Sequence, residues 1–273
     1  MAKLCDEYQA RDNGKKPATV RSDNSRIKLH IKPKIGQLKV VSITSEQIED
    51  FMHSLSRGTQ GRVVGLLGAI FSYAVKRKFV AVNPVRGVEK PTETKRNRRL
   101  SEKEYAQLGS ALNGDMVSDI FLLLAVTGWR SSEVKDLRFS EIDLERRVAT
   151  LGDTKTGQSI RPLSNKAVEI IKRQPGKEGQ QFIFEHEHAR PIGNFRSRWI
   201  KIGMSEDITP HVLRHSIASL AADLGLPDHT ISGLLGHARQ GITSRYLHLG
   251  DKALLDASDL VANETLRLMQ SPT

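Results

Sequence analysis

Apolar periodicity stops at Glu89 and resumes at Leu100. The stretch between them, EKPTETKRNRRL, has one proline, several basic residues and no apolar repeat. Such a composition suits a segment that crosses between two domains, and a solvated loop inside a single domain is the alternative. A chain of 273 residues is long for one domain and comfortable for two. The break therefore sets domains at 1–90 and 101–273, with 91–100 as linker.

On the N-terminal side the pattern is helical. Thr44 precedes Ser45-Glu46-Gln47, the spacing of a helix cap with a reciprocal glutamine. The helix it opens places Ile48, Phe51, Met52 and Leu55 on one face. A second helix carries Val63, Leu67, Ile70, Phe71 and Ala74, and should end before Asn83-Pro84, because proline disfavours helix in the residue before it. Leu38 to Val41 is a candidate short strand. Beyond the break, Ser101 and Glu104 form another capping pair. Asp119 to Val126 is strongly apolar and meets a stop at Gly128. Arg147 to Leu151 and Gln158 to Leu163 read as two strands joined by a turn at Lys155-Thr156-Gly157, with Gln181 to Phe184 as a candidate third. Thr209-Pro210 opens a helix that runs to Gly225. The expected fold is mostly α: a helical domain followed by an α-rich domain with a small antiparallel β-sheet.

Charge is distributed unevenly. Residues 1–99 hold 21 Lys/Arg against 9 Asp/Glu, a net of +12, whereas residues 100–273 hold 21 against 22. The whole excess of +11 thus sits in the N-terminal third. So basic a surface attracts a polyanion, duplex nucleic acid being the usual one; a soluble basic domain without such a partner is the alternative. The single cysteine, Cys5, excludes an internal disulfide and fits a reducing compartment. No apolar run approaches the ~20 residues of a membrane helix, and the N-terminus lacks the apolar stretch of a secretory signal. The expected location is cytoplasmic, with no membrane partner.

An ordered set of basic residues precedes a tyrosine in the C-terminal part. Arg130 stands in Thr127-Gly128-Trp129-Arg130, where a turn into Ser131-Ser132-Glu133 would present it beside a helix start. Its planar fork suits phosphate; pairing to Glu133 or Asp136 is the plainer role. Lys155 lies at the hairpin tip, where lysine is most often merely solvated but can also carry a proton to a leaving group. His211 and Arg214 are three apart and share a helix face near its N-terminus, where free N–H groups favour an anion. His211 and His215 are four apart, a metal-pair spacing, but no glutamate follows His211 and no third ligand is evident, so no metal site is assigned. His237 follows Gly236, a helix stop, and Tyr246 comes nine residues later beside Arg245. A phenol with a pKa of ~10 is a poor nucleophile until cations surround it. Gathered round one hydroxyl, these groups can hold a phosphate while that hydroxyl attacks it.

Each motif alone is weak, but their order is specific. TGWR at Arg130, TKTG at Lys155, HVLRHS at His211 and Arg214, LLGH at His237 and SRYLH at Tyr246 resemble the motif series of the tyrosine recombinases, or phage integrases, of the genomic-island and prophage type. The resemblance covers nearly the whole chain: Thr19 through Asn83-Pro84 resembles the family's helical core-DNA-binding domain, and 101–273 its catalytic domain. Trp129 is bulkier than the residue the family commonly shows before that arginine. The larger members also carry an arm-DNA-binding domain ahead of the core-binding one; a simple two-domain recombinase and a piece of a longer chain both fit.

The resemblance implies a site-specific DNA recombinase whose two domains clamp a duplex in a C shape. Tyr246 would form a 3′-phosphotyrosine and release a 5′-hydroxyl, and exchange would pass through a Holliday junction. Arg130, Arg214 and His237 would stabilise charge on the phosphate, Lys155 would protonate the leaving oxygen, His211 would assist proton removal from Tyr246, and Glu133 would orient this group. No cofactor or metal is implied. The implied partners are double-stranded DNA carrying recombination sites, a homotetramer on that DNA, and accessory DNA-bending or directionality proteins. A type IB topoisomerase, which religates the same strand, and a catalytically inactive DNA-binding relative are the alternatives. Leu254, Ala257, Val261 and Leu268 form one apolar helical face after Tyr246, and the resemblance implies that it docks on a neighbouring subunit; packing on its own domain is the alternative.

Overall fold

The structure is a computed structural model that describes residues 1–11, 14–89, 91, 98–154, 157–176, 180–186, 190–191, 199–200, 203–205, 207–236 and 252–271. The chain divides into two compact units, Met1–Arg96 and Asn97–Thr273.

The first unit is helical throughout its described residues. Helix α1 (Ala2–Ala10) and helix α2 (Pro17–Arg26) are followed by a π turn at Ile27–Ile31 that leads into α3 (Lys32–Ile35). Helix α4 (Ser45–His53) starts at the expected capping box: the Gln47 backbone N–H donates to the Thr44 hydroxyl, and the Thr44 N–H donates to the Gln47 side chain. Ile48, Phe51 and Met52 face inward from it, and Leu55 is buried just beyond its end. Helix α5 (Arg57–Lys76) buries Val63, Leu67, Ile70, Phe71 and Ala74 against them. Cys5 lies in the same core, where burial pushes its thiol up to about 11 and leaves it unreactive. Leu38 to Val41 is not a strand. Val40–Ser42 forms a 3-10 turn closed by the Ser42 N–H on the Lys39 carbonyl, and no described strand of this unit offers a ladder partner.

The second unit opens with α6 (Glu102–Ala111), capped reciprocally by Ser101 and Glu104. Helix α7 (Met116–Thr127) is almost wholly buried and ends at Gly128, whose φ of 63° is the left-handed conformation expected of a glycine stop. A short α8 (Ser131–Lys135) follows at once. The sheet is antiparallel, in the order β1 (Ile142–Asp143), β2 (Val148–Thr154), β3 (Gly157–Pro162). Its third strand is therefore not Gln181 to Phe184. That segment contributes one bridge, Phe182 to Arg138, and among the described residues β4 (Glu185–His186) pairs with β5 (Arg190–Pro191). Backbone polar groups of Gln181 and Ile183 are used by the chain around Leu137 and Phe139 instead of by the sheet.

Helix α9 (Asn165–Lys172) follows the sheet. Helix α10 (Pro210–Asp223) has proline at its first turn as expected, and Gly225 beyond it has a φ of 79°. Helix α11 (Asp228–Leu235) ends at Gly236. Helix α12 (Lys252–Met269) packs on its own unit, the alternative reading of its apolar face. Ala257, Val261, Ala262, Leu268 and Met269 are buried in the core clusters of their own unit. Asp259 on this helix accepts from Arg147 at 2.7 Å and from the Asn165 backbone N–H at 2.7 Å. Among the described residues no helix is long and apolar enough to cross a membrane.

Candidate active site

The site is built where three helix ends meet the inner face of the sheet. The tight stop at Gly128 delivers Trp129 into the core, 1% exposed, and Arg130 to the start of α8. The bulky Trp129 is thus accommodated as a core residue. Glu133, one turn into α8, reaches back: its Oε2 accepts from the Arg130 backbone N–H at 2.8 Å and its Oε1 from Arg130 Nη1 at 2.7 Å. The plain pairing of Arg130 with Glu133 and an orienting role for Glu133 are therefore the same contact. Arg130 keeps about a quarter of its side chain exposed, at 28%.

Arg214, on α10, is buried. Its Nη1 donates to the Gly128 carbonyl at 3.0 Å and its Nη2 to the Leu235 carbonyl at 2.9 Å. It thereby closes the C-terminal ends of α7 and α11, whose last carbonyls lack intrahelical partners. Burial, then the neighbouring Arg130 charge, push the Arg214 guanidinium down to about 10, with Glu133 opposing and Arg161 adding to the shift. It remains a cation at neutral pH.

His211 stands in the first turn of the same helix, exposed. Its Nε2 is 3.1 Å from Nε2 of His215, with the rings edge to face. One ring nitrogen accepts in that contact and carries no proton, so both rings cannot be imidazolium. Burial, then the charges of His215, Arg214 and Arg130, lower the His211 pKa from its usual value. A neutral imidazole at pH 7 can accept a proton. Among the described residues, no group of three or more His, Cys, Asp or Glu side chains could hold a metal ion.

The sequence reading missed Arg161. It lies on β3 and is fully buried, with Nη2 3.0 Å from Glu133 Oε1, Nε donating to Ser159 Oγ at 2.9 Å and Nη1 donating to the Leu235 carbonyl at 2.5 Å. Its guanidinium also lies 6.0 Å from the Trp129 ring centroid. Strand parity gave the available signal. Arg161 pairs with Ala149 and Ser159 with Leu151, both of which face the core, whereas Ile160 is 44% exposed. Arg161 also shares its face with Leu163 by period two, and Leu163 is buried. Burial lowers the Arg161 pKa, Glu133 opposes that shift and Arg130 adds to it. Burial alone would raise the Glu133 carboxyl; Arg161 and then the bonds from Arg130 outweigh it and hold it below the usual range.

Two guanidinium groups, Arg130 and Arg161, thus share the Glu133 carboxylate, while Arg214 is held nearby on the Gly128 and Leu235 carbonyls; three cations against one carboxylate leave two uncompensated positive charges beside a neutral imidazole. This arrangement suits an anion with several acceptor oxygens. The structure brings together Arg130, His211 and Arg214 of the predicted set. Lys155, His237 and Tyr246 lie outside the described residues. Lys155 follows Thr154, which pairs with Gly157 across the hairpin, and His237 follows Gly236 in the chain.

The profile of the phage integrase family matches residues 98–253, and that of the SAM-like N-terminal domain of phage integrases matches residues 5–56. A tyrosine recombinase of Thermosipho africanus is 28% identical over 247 residues, covering 80% of this chain and 85% of that protein. Tyrosine recombinase XerC of Xylella fastidiosa (strain M23) is 26% identical over 231 residues, covering 77% and 78%. Among solved structures, lambda integrase (residues 75–356), a dimer bound to a COC′ core site, superposes with a TM-score of 0.70 at 19% identity, over 88% of this chain and 98% of that one. The Tn1549 transposon integrase (residues 82–397), in complex with circular intermediate DNA, gives 0.71 at 18% identity, over 92% and 97%. These structural likenesses show the fold, and the match over more than half of the chain shows the family: the chain belongs to the phage integrase family.

Proposed function

We propose that this protein is a site-specific recombinase of double-stranded DNA that cuts and rejoins strands through a phosphotyrosine at Tyr246. The observation that carries this reading is the Arg130–Glu133–Arg161–Arg214 cluster with neutral His211 beside it. It forms an oriented site for a phosphodiester within the residues that match the family.

The Tyr246 hydroxyl attacks the backbone phosphorus, forming the Tyr Oη–P bond as the P–O5′ bond breaks. The phenolic proton passes to His211. Lys155 gives a proton to the departing 5′-oxygen. Arg130 and Arg214, with His237, stabilise the charge that builds on the non-bridging oxygens. The 5′-hydroxyl of a partner strand then reverses these steps and frees Tyr246. Phosphodiester energy stays in the covalent link, so the chemistry calls for no nucleotide or metal. Two such exchanges pass through a Holliday junction. A lambda integrase tetramer bound to a Holliday junction is among the structural neighbours, and a homotetramer with accessory bending or directionality proteins is the matching assembly here. The basic residues 1–90 supply a core-DNA-binding domain, 91–100 the linker and 101–273 the catalytic domain. A protein acting on chromosomal or element DNA works in the cytoplasm, at the nucleoid.

The test is incubation with a nicked duplex carrying the element's end sequence, followed by a denaturing gel. Wild type should give a protein band shifted by covalent DNA, and Tyr246→Phe should give none while binding the duplex nearly as well. Phe keeps the ring and loses only the nucleophile. An adduct with Tyr246→Phe would sink the assignment.

A further inference from the structure

Arg161 is the one fully buried cation of the described residues, with 0% of its side chain exposed. It cannot reach a phosphate in the open part of the site. Its contacts point inward to two places that matter for that site. It holds the same Glu133 oxygen that pairs with Arg130, and it holds the carbonyl of Leu235, which Arg214 also holds.

We propose that Arg161 is a positioning residue for phosphoryl transfer, acting through Glu133 and through the end of α11; this rests on the proposed function above. Glu133 is needed to aim Arg130, but its carboxylate also places a negative charge beside the incoming phosphate. With its side chain 6% exposed, water does little to screen that charge. Arg161 compensates it from the core side and leaves the Arg130 charge for the substrate. A buried pair of this kind contributes little net stability, yet removal of one partner leaves an uncompensated charge in the core. Losing Arg161 would turn Glu133 wholly onto Arg130 and weaken the field at the phosphate.

The second contact sets a backbone position. Gly236 has a φ of 60°, and a Cβ there would fall 1.9 Å from Arg161 Nε. The guanidinium fills the space a side chain would occupy and anchors the carbonyl just before it. The chain therefore leaves α11 toward His237 from a point fixed by Arg161 and Arg214 together. The same side chain ties the strand that follows Lys155, the helix start that carries Arg130 and the helix end that precedes His237.

The test uses the full chain and the nicked duplex, reading the single-turnover rate of adduct formation at saturating protein, DNA affinity and unfolding temperature. Arg161→Met and Arg161→Lys should slow adduct formation by about 10- to 100-fold, the scale of an ångström-level misplacement of reacting groups. DNA affinity should stay within about 2-fold, because uniform binding is untouched. Adding Glu133→Gln to Arg161→Met should raise the rate at least about 3-fold above Arg161→Met alone, since the uncompensated charge is gone and the two sites are coupled. A simple packing role would give no such gain. Should Arg161→Met fail to fold, Arg161→Gln with and without Glu133→Gln carries the same comparison, as glutamine removes the charge while keeping an N–H donor in the core. Wild-type rate in Arg161→Lys, or losses that follow the unfolding temperature with no gain from Glu133→Gln, would overturn the positioning role alone. A wild-type protein that forms no adduct would overturn the underlying function, and this role with it.

Discussion

Residues 1–99 and 100–273 use positive charge in opposite ways. The first segment carries a net +12, and among its described residues no lysine or arginine is buried. Its described cations stand outside a helical core. The second segment is close to neutral, yet it buries Arg161 and Arg214 and turns Arg130 toward solvent with a carboxylate at its back. On the proposed function, the first acts through the number of its charges, with no single position dominating. In the second, three guanidinium groups act through hydrogen-bond geometry, and each has a different duty. Surface charge of the first kind is screened by salt, whereas buried pairs of the second kind are screened much less.

That contrast predicts a graded set of effects. The largest belong to the two arginines proposed to act on the phosphate. Arg130→Ala and Arg214→Ala should each slow adduct formation by about 10²-fold or more, the loss expected for one charge-stabilising donor, while the salt slope of DNA binding falls by no more than the about 0.9 of a single phosphate contact. Single-turnover cleavage across a salt series measures both. Chelators should leave the wild-type rate unaffected; loss in EDTA restored by a divalent ion would contradict the mechanism.

Gly236→Ala should come next. A side chain there needs a left-handed backbone and meets the Arg161 guanidinium, so it should destabilise the protein by about 1–3 kcal/mol, read by denaturant unfolding, and slow cleavage as well. The His211 effect is smaller and depends on pH. Its pKa is lowered, so the neutral, proton-accepting form is present at neutral pH and is lost only as pH falls below the ordinary imidazole range, past about 6.5. Cleavage should be flat above that range and fall on the acid side. His211→Ala should be slower throughout and lack that acid limb; a pH–rate profile of the two proteins decides it.

These predictions also mark what the sequence made legible. Helix starts were legible because reciprocal caps are local: Thr44 with Gln47 and Ser101 with Glu104 close within one turn, and both formed. Apolar faces such as Val63, Leu67, Ile70, Phe71 and Ala74 follow the helix period and needed no tertiary information. The short apolar run at Leu38 to Val41 was misread because a strand exists only with a partner, and the described part of that unit offers none. Gln181 to Phe184 was misread for a related reason: its backbone groups pair with the chain near Leu137 and Phe139. In the candidate site, Arg130, His211 and Arg214 stand in recognisable motifs. Arg161 does not: period two with Leu163 puts it on the inner face, but the adjacent Ile160, which the strand exposes, points the alternation the other way. The reason is tertiary: only the folded unit brings the Glu133 carboxylate and the Leu235 carbonyl to that face, and without them a buried arginine would be too costly.

The smallest effects should come from single surface cations of the first unit. Arg57→Gln, Arg62→Gln or Lys76→Gln on α5, all exposed, should each lower the slope of log affinity against log salt by about 0.9 wherever a phosphate contact is lost. The cleavage rate of bound DNA should not change. A substitution there that slowed bound-state chemistry would blur the distinction between the two regions.

The division of labour is tested most directly by one titration on the full chain with the nicked duplex. DNA affinity and the saturated single-turnover rate of adduct formation are followed together from about 50 to 200 mM salt. Affinity should fall steeply, by about 10³-fold or more if six or more phosphates are neutralised. The rate constant of the bound complex should change by less than about 3-fold, because the buried arginine cluster is shielded from salt. A saturated rate that falls as steeply as the affinity, or an affinity indifferent to salt, would contradict the assignment of binding to the basic N-terminal surface and chemistry to the Arg130–Glu133–Arg161–Arg214 cluster.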